Sequence, residues 1–175
     1  MYHGGELGLP LEISIDITPK IHSPSEAIYE CIEFLESHRV DTECIQTFRL
    51  LISEAIANAL EHGVLRLPSS RKEDMNYALK KEIADCRTAF TPGQVKLKIQ
   101  LLCHSDSGLI ETISVEVSDS GQGFDWQKYL ANIAMPAPEK IYGRGLALIK
   151  MTASHLSFNE AGNTIKFAFP CKLKA

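Results

Sequence analysis

The sequence predicts an α+β protein, a two-layer sandwich in which a mixed, mostly antiparallel sheet carries helices on one face. Apolar and polar residues alternate in several short runs, which is typical of strands with one buried face. Two helical patterns follow the first of these runs. The later runs come in consecutive pairs, and sequential hairpins give an antiparallel arrangement.

The N-terminal part is predicted to be one strand and two helices. Residues 9–18 alternate as a strand does. Residues 25–38 form a helix with one apolar face, and residues 43–62 form a longer helix with apolar residues at i, i+3, i+4 and i+7. Gly63 is expected to end the longer helix. The candidate N-caps are Ser23 or Ser25 for the first helix and Asp41 or Thr42 for the second.

A charged insert and a hairpin come next. Residues 66–93 are rich in charge and have proline near both ends, which predicts a solvated helical excursion. Alternating runs over about 95–101 and 110–118 predict two strands, and residues 105–108 (Ser-Asp-Ser-Gly) form the turn between them.

The C-terminal part begins with an irregular stretch. Residues 120–143 contain three glycines and two prolines without periodicity, and so long a loop in a compact domain is usually functional. A third helix is predicted from Arg144 to about Leu156. A last hairpin pairs residues 156–159 with 164–170 across a Gly-Asn turn.

The composition indicates a single soluble domain over residues 1–175. Lys plus Arg number 18 against 22 Asp plus Glu, so the net charge of −4 lacks the positive footprint of a nucleic-acid binder. The first residues do not resemble a leader, and no apolar run is long enough for a bilayer, so we expect no membrane association. Five scattered cysteines without a C-x-x-C pair favour reduced thiols and a cytoplasmic location.

The polar face of the longer helix carries the first candidate site. Glu54 and Asn58 are four residues apart, so their side chains are neighbours on a helix. A carboxylate beside a carboxamide suits a hard cation such as Mg²⁺ or a positioned water. The simpler interpretation is that an exposed helix face is polar anyway. Asn58 weakens that interpretation, because asparagine inside a helix costs roughly 0.5 kcal/mol relative to alanine.

Two glycine-containing stretches supply the other candidates. Asp119-x-Gly121-x-Gly123 follows a strand, where a carboxylate can accept a hydrogen bond from a purine amino group and glycines let a ligand approach the backbone. Gly143-Arg144-Gly145 opens the third helix, whose N-terminal N–H groups suit a phosphate. Neither stretch is a Walker A loop or a complete dinucleotide-binding fingerprint.

In this order and spacing, Glu54-x-x-x-Asn58, Asp119-x-Gly121-x-Gly123 and Gly143-x-Gly145 resemble the ATP site of the GHKL superfamily, which includes gyrase, heat-shock chaperones, histidine kinases and mismatch-repair ATPases. The residues around these motifs and in Asn159–Thr164 are most similar to those of the anti-sigma-factor serine/threonine kinases, the histidine kinase-like ATPase branch. The resemblance covers residues 9–170 and implies a sandwich of the Bergerat type.

The resemblance implies a role for each matching residue. Glu54 would act as the general base on the attacking hydroxyl, and Asn58 would hold the Mg²⁺ that bridges the ATP phosphates. Asp119 would accept a hydrogen bond from the adenine amino group, and Gly121 and Gly123 would leave room for the ring and ribose.

The same resemblance assigns the loop and its surroundings. Residues 125–142 would be the mobile ATP lid. Gly143, Arg144 and Gly145 would contact the phosphates, and Thr164 would lie near the adenine through a water.

The implied reaction is transfer of the ATP γ-phosphate to a serine or threonine of a STAS-type anti-sigma antagonist. A sigma factor and a second copy of the chain are further partners that the resemblance implies. The insert at 66–93 departs from the compact members and resembles longer modules behind receiver and phosphatase domains, which leaves the partner open. Two alternatives also stay open. One is an ATP-dependent binding switch without transfer, and the other is the catalytic domain of a histidine kinase, disfavoured because no phosphoacceptor helix precedes residue 9.

Overall fold

The computed structural model describes residues 11–18, 23–64, 93–104, 107–132 and 145–174. In chain order these residues form β1 (Glu12–Ile17), α1 (Pro24–Ser37), α2 (Thr42–Asn58), a π-helical segment (Ala59–Val64), β2 (Val95–Cys103), β3 (Ile110–Asp119), α3 (Trp126–Asn132), α4 (Gly145–Thr152), β4 (His155–Phe158) and β5 (Thr164–Pro170).

The strands form one five-stranded sheet in the order β1-β2-β3-β5-β4, and each pair of neighbours is antiparallel. Alternate residues of the strands, such as Ile99, Val115 and Phe167, are buried against α1, α2 and α4 in a single apolar core. The other face is polar, with ion pairs such as Lys98–Glu12 at 3.0 Å between neighbouring strands. The predicted α+β sandwich with helices on one face is therefore confirmed.

Local signals fix the starts of both long helices. Ser23 caps α1 through a capping box, in which its hydroxyl accepts from the Glu26 N–H and the Glu26 carboxylate accepts from the Ser23 N–H. Asp41 caps α2 by accepting from the Cys44 N–H at 2.8 Å. Of the alternatives from the sequence, Ser23 and Asp41 are therefore the N-caps.

Gly63 does not end the second helix, contrary to prediction. The chain passes from α2 into the π-helical segment Ala59–Val64, and Gly63 is buried within it. Wider π turns occur mostly as single turns at functional sites. A Cβ atom on Gly63 would overlap the carboxyl group of Asp119. Glycine is therefore needed here for a close approach between two elements rather than for a helix stop.

Two further boundaries were predicted wrongly. The third helix, α4, ends at Thr152 rather than near Leu156, because the Ser154 N–H donates to the Ala168 carbonyl and β4 begins at His155. The stretch predicted as irregular contains the short helix α3, over Trp126–Asn132. The predicted insert, apart from Gly93, and residues 133–142 of the predicted lid lie outside the described residues.

In the described ranges, no helix combines the length and the apolar character that spanning a bilayer requires.

Candidate functional site

A cavity of about 500 Å³ lies where α2, the end of β3, the start of α4 and the β4–β5 hairpin meet. This volume is within the range of small-ligand sites, about 300–1,000 Å³. Six of the residues predicted from the sequence line it: Glu54, Asn58, Asp119, Gly123, Gly145 and Thr164. Gly121 lies beside it through its contact with Asp119. Gly143 and Arg144 lie outside the described residues.

Glu54 and Asn58 stand one turn apart on α2, and both are partly buried. The backbone of Gly145, the first residue of α4, lies so close that a Cβ atom there would overlap the Glu54 carboxylate. The N–H groups in the first turn of a helix have no partner within that helix. A carboxylate and a set of backbone donors therefore stand side by side at this end of the cavity.

The side-chain amide of Asn58 has an unpaired group. Its Nδ2 is buried and has no hydrogen-bond partner among the residues that the structure describes. A buried donor without a partner costs about 1–3 kcal/mol, so such a group calls for an explanation. Because no hydrogen bond from the described ranges fixes the amide plane, a half turn can exchange the nitrogen and the oxygen. The amide is thus suited to a ligand in the cavity.

Asp119 ends the central strand β3 and lines the same cavity. Its Oδ1 accepts from the Gly121 N–H at 2.8 Å, and no group in the described ranges donates to its Oδ2. Burial raises the pKa of the Asp119 carboxyl, and the Gly121 hydrogen bond partly opposes this. The second oxygen can therefore accept a hydrogen bond from a ligand such as an amino group.

Thr164, at the start of β5, also lines the cavity. Its Oγ1 and the Oγ of Ser118 are 2.9 Å apart, so the two hydroxyls share a hydrogen bond. Ser118 and Thr164 are also directly paired between β3 and β5. The register of the sheet and the hydrogen bond to Ser118 thus fix the position of the threonine hydroxyl.

Aromatic residues form one wall of the cavity. This aromatic wall was not predicted from the sequence. Phe158 of β4 stacks on Trp126 of α3 with ring centroids 5.4 Å apart, and Phe124 packs edge-on against both Phe158 and Tyr129 at 5.8 Å. Phe124, Tyr129 and Phe158 line the cavity, and burial raises the pKa of the Tyr129 phenol. The four aromatics are spread over 124–158, and nothing in their spacing brings them together.

His62 and Asn163 also line the cavity and were not among the predicted site residues. His62 is in the π-helical segment, and Asn163 is in the β4–β5 turn. Both stand inside stretches that carried the resemblance, so the sequence contained a signal for them.

The fold and the cavity together define a class of protein, an α+β domain with a cavity of small-ligand size between a helix face and the end of a central strand. A family model described as "Histidine kinase-like ATPase domain" matches residues 25–169. The chain belongs to this family, and the predicted GHKL membership is confirmed. A search of curated proteins gave no match.

Family membership identifies ATP as the ligand and indicates an ATP-using, kinase-like activity. The cavity fits this ligand. Among the described residues nothing donates to Oδ2 of Asp119, which suits the amino group of a purine, and the first turn of α4 offers donors, which suit phosphates. Adenine and phosphates therefore both have complementary groups in the lining of one cavity.

Proposed function

We propose that this chain is a protein serine/threonine kinase of the anti-sigma-factor type. It binds ATP with Mg²⁺ and transfers the γ-phosphate to a serine or threonine of a STAS-type anti-sigma antagonist. The observation that carries the proposal is the position of Glu54, whose carboxylate packs against Gly145 at the start of α4, one helical turn from Asn58.

The proposed roles follow from the chemistry of the transfer. The substrate hydroxyl oxygen forms a bond to the γ-phosphorus while the bond from that phosphorus to the bridging oxygen breaks, and ADP leaves. The carboxylate of Glu54 takes the proton of the hydroxyl. Positioning and charge neutralisation account for most of the rate of phosphoryl transfer. The attacking hydroxyl must also lose its proton, and the Glu54 carboxylate would accept it as a general base.

Asn58 would hold the magnesium ion through its side-chain oxygen, and the bound ion would neutralise phosphate charge. Within the described ranges, no group of three or more His, Cys, Asp and Glu side chains could hold a metal. Mg²⁺ keeps several waters and needs few protein ligands when substrate phosphates also bind it. The unpaired amide of Asn58 is the observation that supports its assignment.

The test is phosphate transfer from γ-labelled ATP to a purified STAS-domain protein. Glu54→Gln should keep the Kd for ATP within about twofold and slow transfer at least about 100-fold, the usual contribution of a general base. Glu43→Gln is the matched control, because Glu43 lies on the same helix in its first turn, at the end away from Asn58.

Other outcomes separate the alternatives. Normal transfer by Glu54→Gln would contradict the role of Glu54. A wild-type protein that binds its partner only with ATP, without labelling it, would be a binding switch. An acid-labile phosphoprotein product would indicate phosphohistidine and thus a histidine kinase.

A further inference from the structure

The β4–β5 turn contains a side-chain hydrogen-bond network built on Asn159. Its Oδ1 accepts from three backbone N–H groups, those of Gly162 at 2.8 Å, Asn163 at 3.1 Å and Thr164 at 3.2 Å. Only the oxygen of an amide can accept. The three donors therefore fix which way the Asn159 amide faces.

That orientation is passed on to Asn163. The Nδ2 of Asn159 donates to the Oδ1 of Asn163 at 2.7 Å, so the Nδ2 of Asn163 must face the other way. It donates to the carbonyl of Gly121 at 3.0 Å. The turn is thereby connected to the loop after β3, across 42 positions of the sequence.

Gly121 in turn holds Asp119. The Gly121 N–H occupies Oδ1 of the carboxylate, and the backbone N–H of Asp119 donates to the Asn163 carbonyl at 2.9 Å. The chain of contacts therefore runs from Asn159 through Asn163 and Gly121 to one carboxylate oxygen, and it leaves the other oxygen for a ligand.

The two loops also pack backbone against backbone. Gly123 and Gly162 have φ angles of 77° and 78°, and a Cβ atom on either would overlap a carbonyl of the opposite loop, that of Ala161 or Phe124. No side chain separates the loops at these points to absorb a shift. A movement of the turn is therefore passed to the loop that holds Asp119.

We propose that Asn159 and Asn163 are positioning residues that set the base selectivity of the nucleotide site. This inference rests on the proposed binding of ATP with adenine at Asp119. Adenine presents an amino group where guanine presents a carbonyl, so a fixed carboxylate oxygen accepts from the first and repels the second. The discrimination is large only if the carboxylate cannot turn away, and the Asn159–Asn163 network prevents that movement.

The experiment measures the Kd of MgATP and MgGTP by calorimetry for the wild type, Asn159→Asp and Asn163→Ala. The Asn159→Asp carboxylate can still accept the three N–H groups of the turn but has no donor for Asn163, so the network is cut at one point. Each variant should lower the ratio of the GTP Kd to the ATP Kd at least tenfold. The double variant should lower it no further, because both changes cut one chain of contacts.

Glu160→Ala is the matched control, because Glu160 is exposed in the same turn and its side chain makes no hydrogen bond in the described part of the chain. It should leave the ratio unchanged, and the Tm of every variant is measured beside it. Equal weakening of ATP and GTP would show a merely structural role and overturn the inference, as would an unchanged ratio in either folded single variant.

A different set of results would contradict the proposed function itself. If the wild type binds no ATP, or if Asp119→Asn leaves ATP binding intact, the site assignment itself is wrong and the inference falls with it. If Asp119→Asn abolishes selective ATP binding but the asparagine variants keep the wild-type ratio, only the inference is overturned.

Discussion

Replacing Gly63 with alanine tests the geometry of the site against simple helix propensity. Alanine inside a helix is more favourable than glycine by about 0.5–1 kcal/mol, so propensity alone predicts a more stable protein. The structure predicts damage, because the added Cβ would overlap the Cγ and Oδ1 atoms of Asp119 and lie 2.8 Å from its Cβ. Gly63 is buried, so the new methyl group cannot turn into solvent.

The expected magnitude follows from what Asp119 must give up. If the carboxylate rotates away, it loses the hydrogen bond from the Gly121 N–H, and hydrogen bonds to charged groups are worth about 1.5–3 kcal/mol. The gain in propensity offsets part of this loss, so the free energy of unfolding should fall by about 0.5–2.5 kcal/mol. The proposed hydrogen bond to the adenine would be lost as well, which should raise the Kd for ATP about 10- to 150-fold.

Calorimetric titration with MgATP and urea denaturation of the same preparation provide both numbers. Gly108→Ala is the control, because Gly108 has a φ of 67° and a Cβ atom there would meet nothing within 4 Å. That change should cost about 1–2 kcal/mol of stability through the backbone alone and leave the Kd unchanged. If Gly63→Ala is folded, at least as stable as the wild type, and binds ATP with an unchanged Kd, the assigned contact with Asp119 is wrong.

Three further changes test the site and the core. Gly145→Ala should displace the Glu54 carboxylate and slow phosphate transfer about 100-fold, while the Kd for ATP measured in parallel changes much less. Burial raises the pKa of Asp119, so its ionised form is disfavoured in the folded state and stability falls as pH rises through that pKa. Thermal denaturation should therefore show Asp119→Asn gaining stability over the wild type as the pH rises above the ordinary pKa of an aspartate, although it no longer binds ATP. Phe167→Ala removes a ring that is 1% exposed and should cost about 3–5 kcal/mol in urea denaturation.

The regular part of the fold was predictable because its signals are local. In β3 the buried residues Ile113, Val115 and Val117 alternate with less buried ones, and a period of two is enough to recognise such a strand. The caps of α1 and α2 are likewise contacts within three residues. Pattern and structure agree wherever the decisive contact is close in sequence.

The wrong boundaries have long-range causes. The helical period runs on past Thr152, but pairing of Ser154 with Ala168 ends α4 and starts β4. Short α3 has no strong pattern of its own, and stacking of Trp126 on Phe158 contributes to holding it in place. A single sequence does not reveal which distant residues supply such contacts.

For the candidate site, the residue types were predictable and their mutual geometry was not. The spacing of Glu54 and Asn58 indicated that they share a helix face, and both line the cavity. The contacts that the spacing did not indicate are those with glycine. Glu54 lies against Gly145, and Asp119 lies against Gly63, in each case across more than 50 positions of the sequence.

The contacts of Gly63 with Asp119 and of Gly145 with Glu54 give these two glycines a second physical explanation. Glycines in such motifs are usually explained by the room that a ligand needs. Here, a Cβ atom at Gly63 or Gly145 would already overlap a carboxylate without any ligand in the cavity. Each glycine thus lets one acidic side chain pack against the backbone of a distant element. The spacing between the two carboxylates is therefore set by the packing of the polypeptide itself, so a ligand of this cavity would meet acidic groups that are already in place.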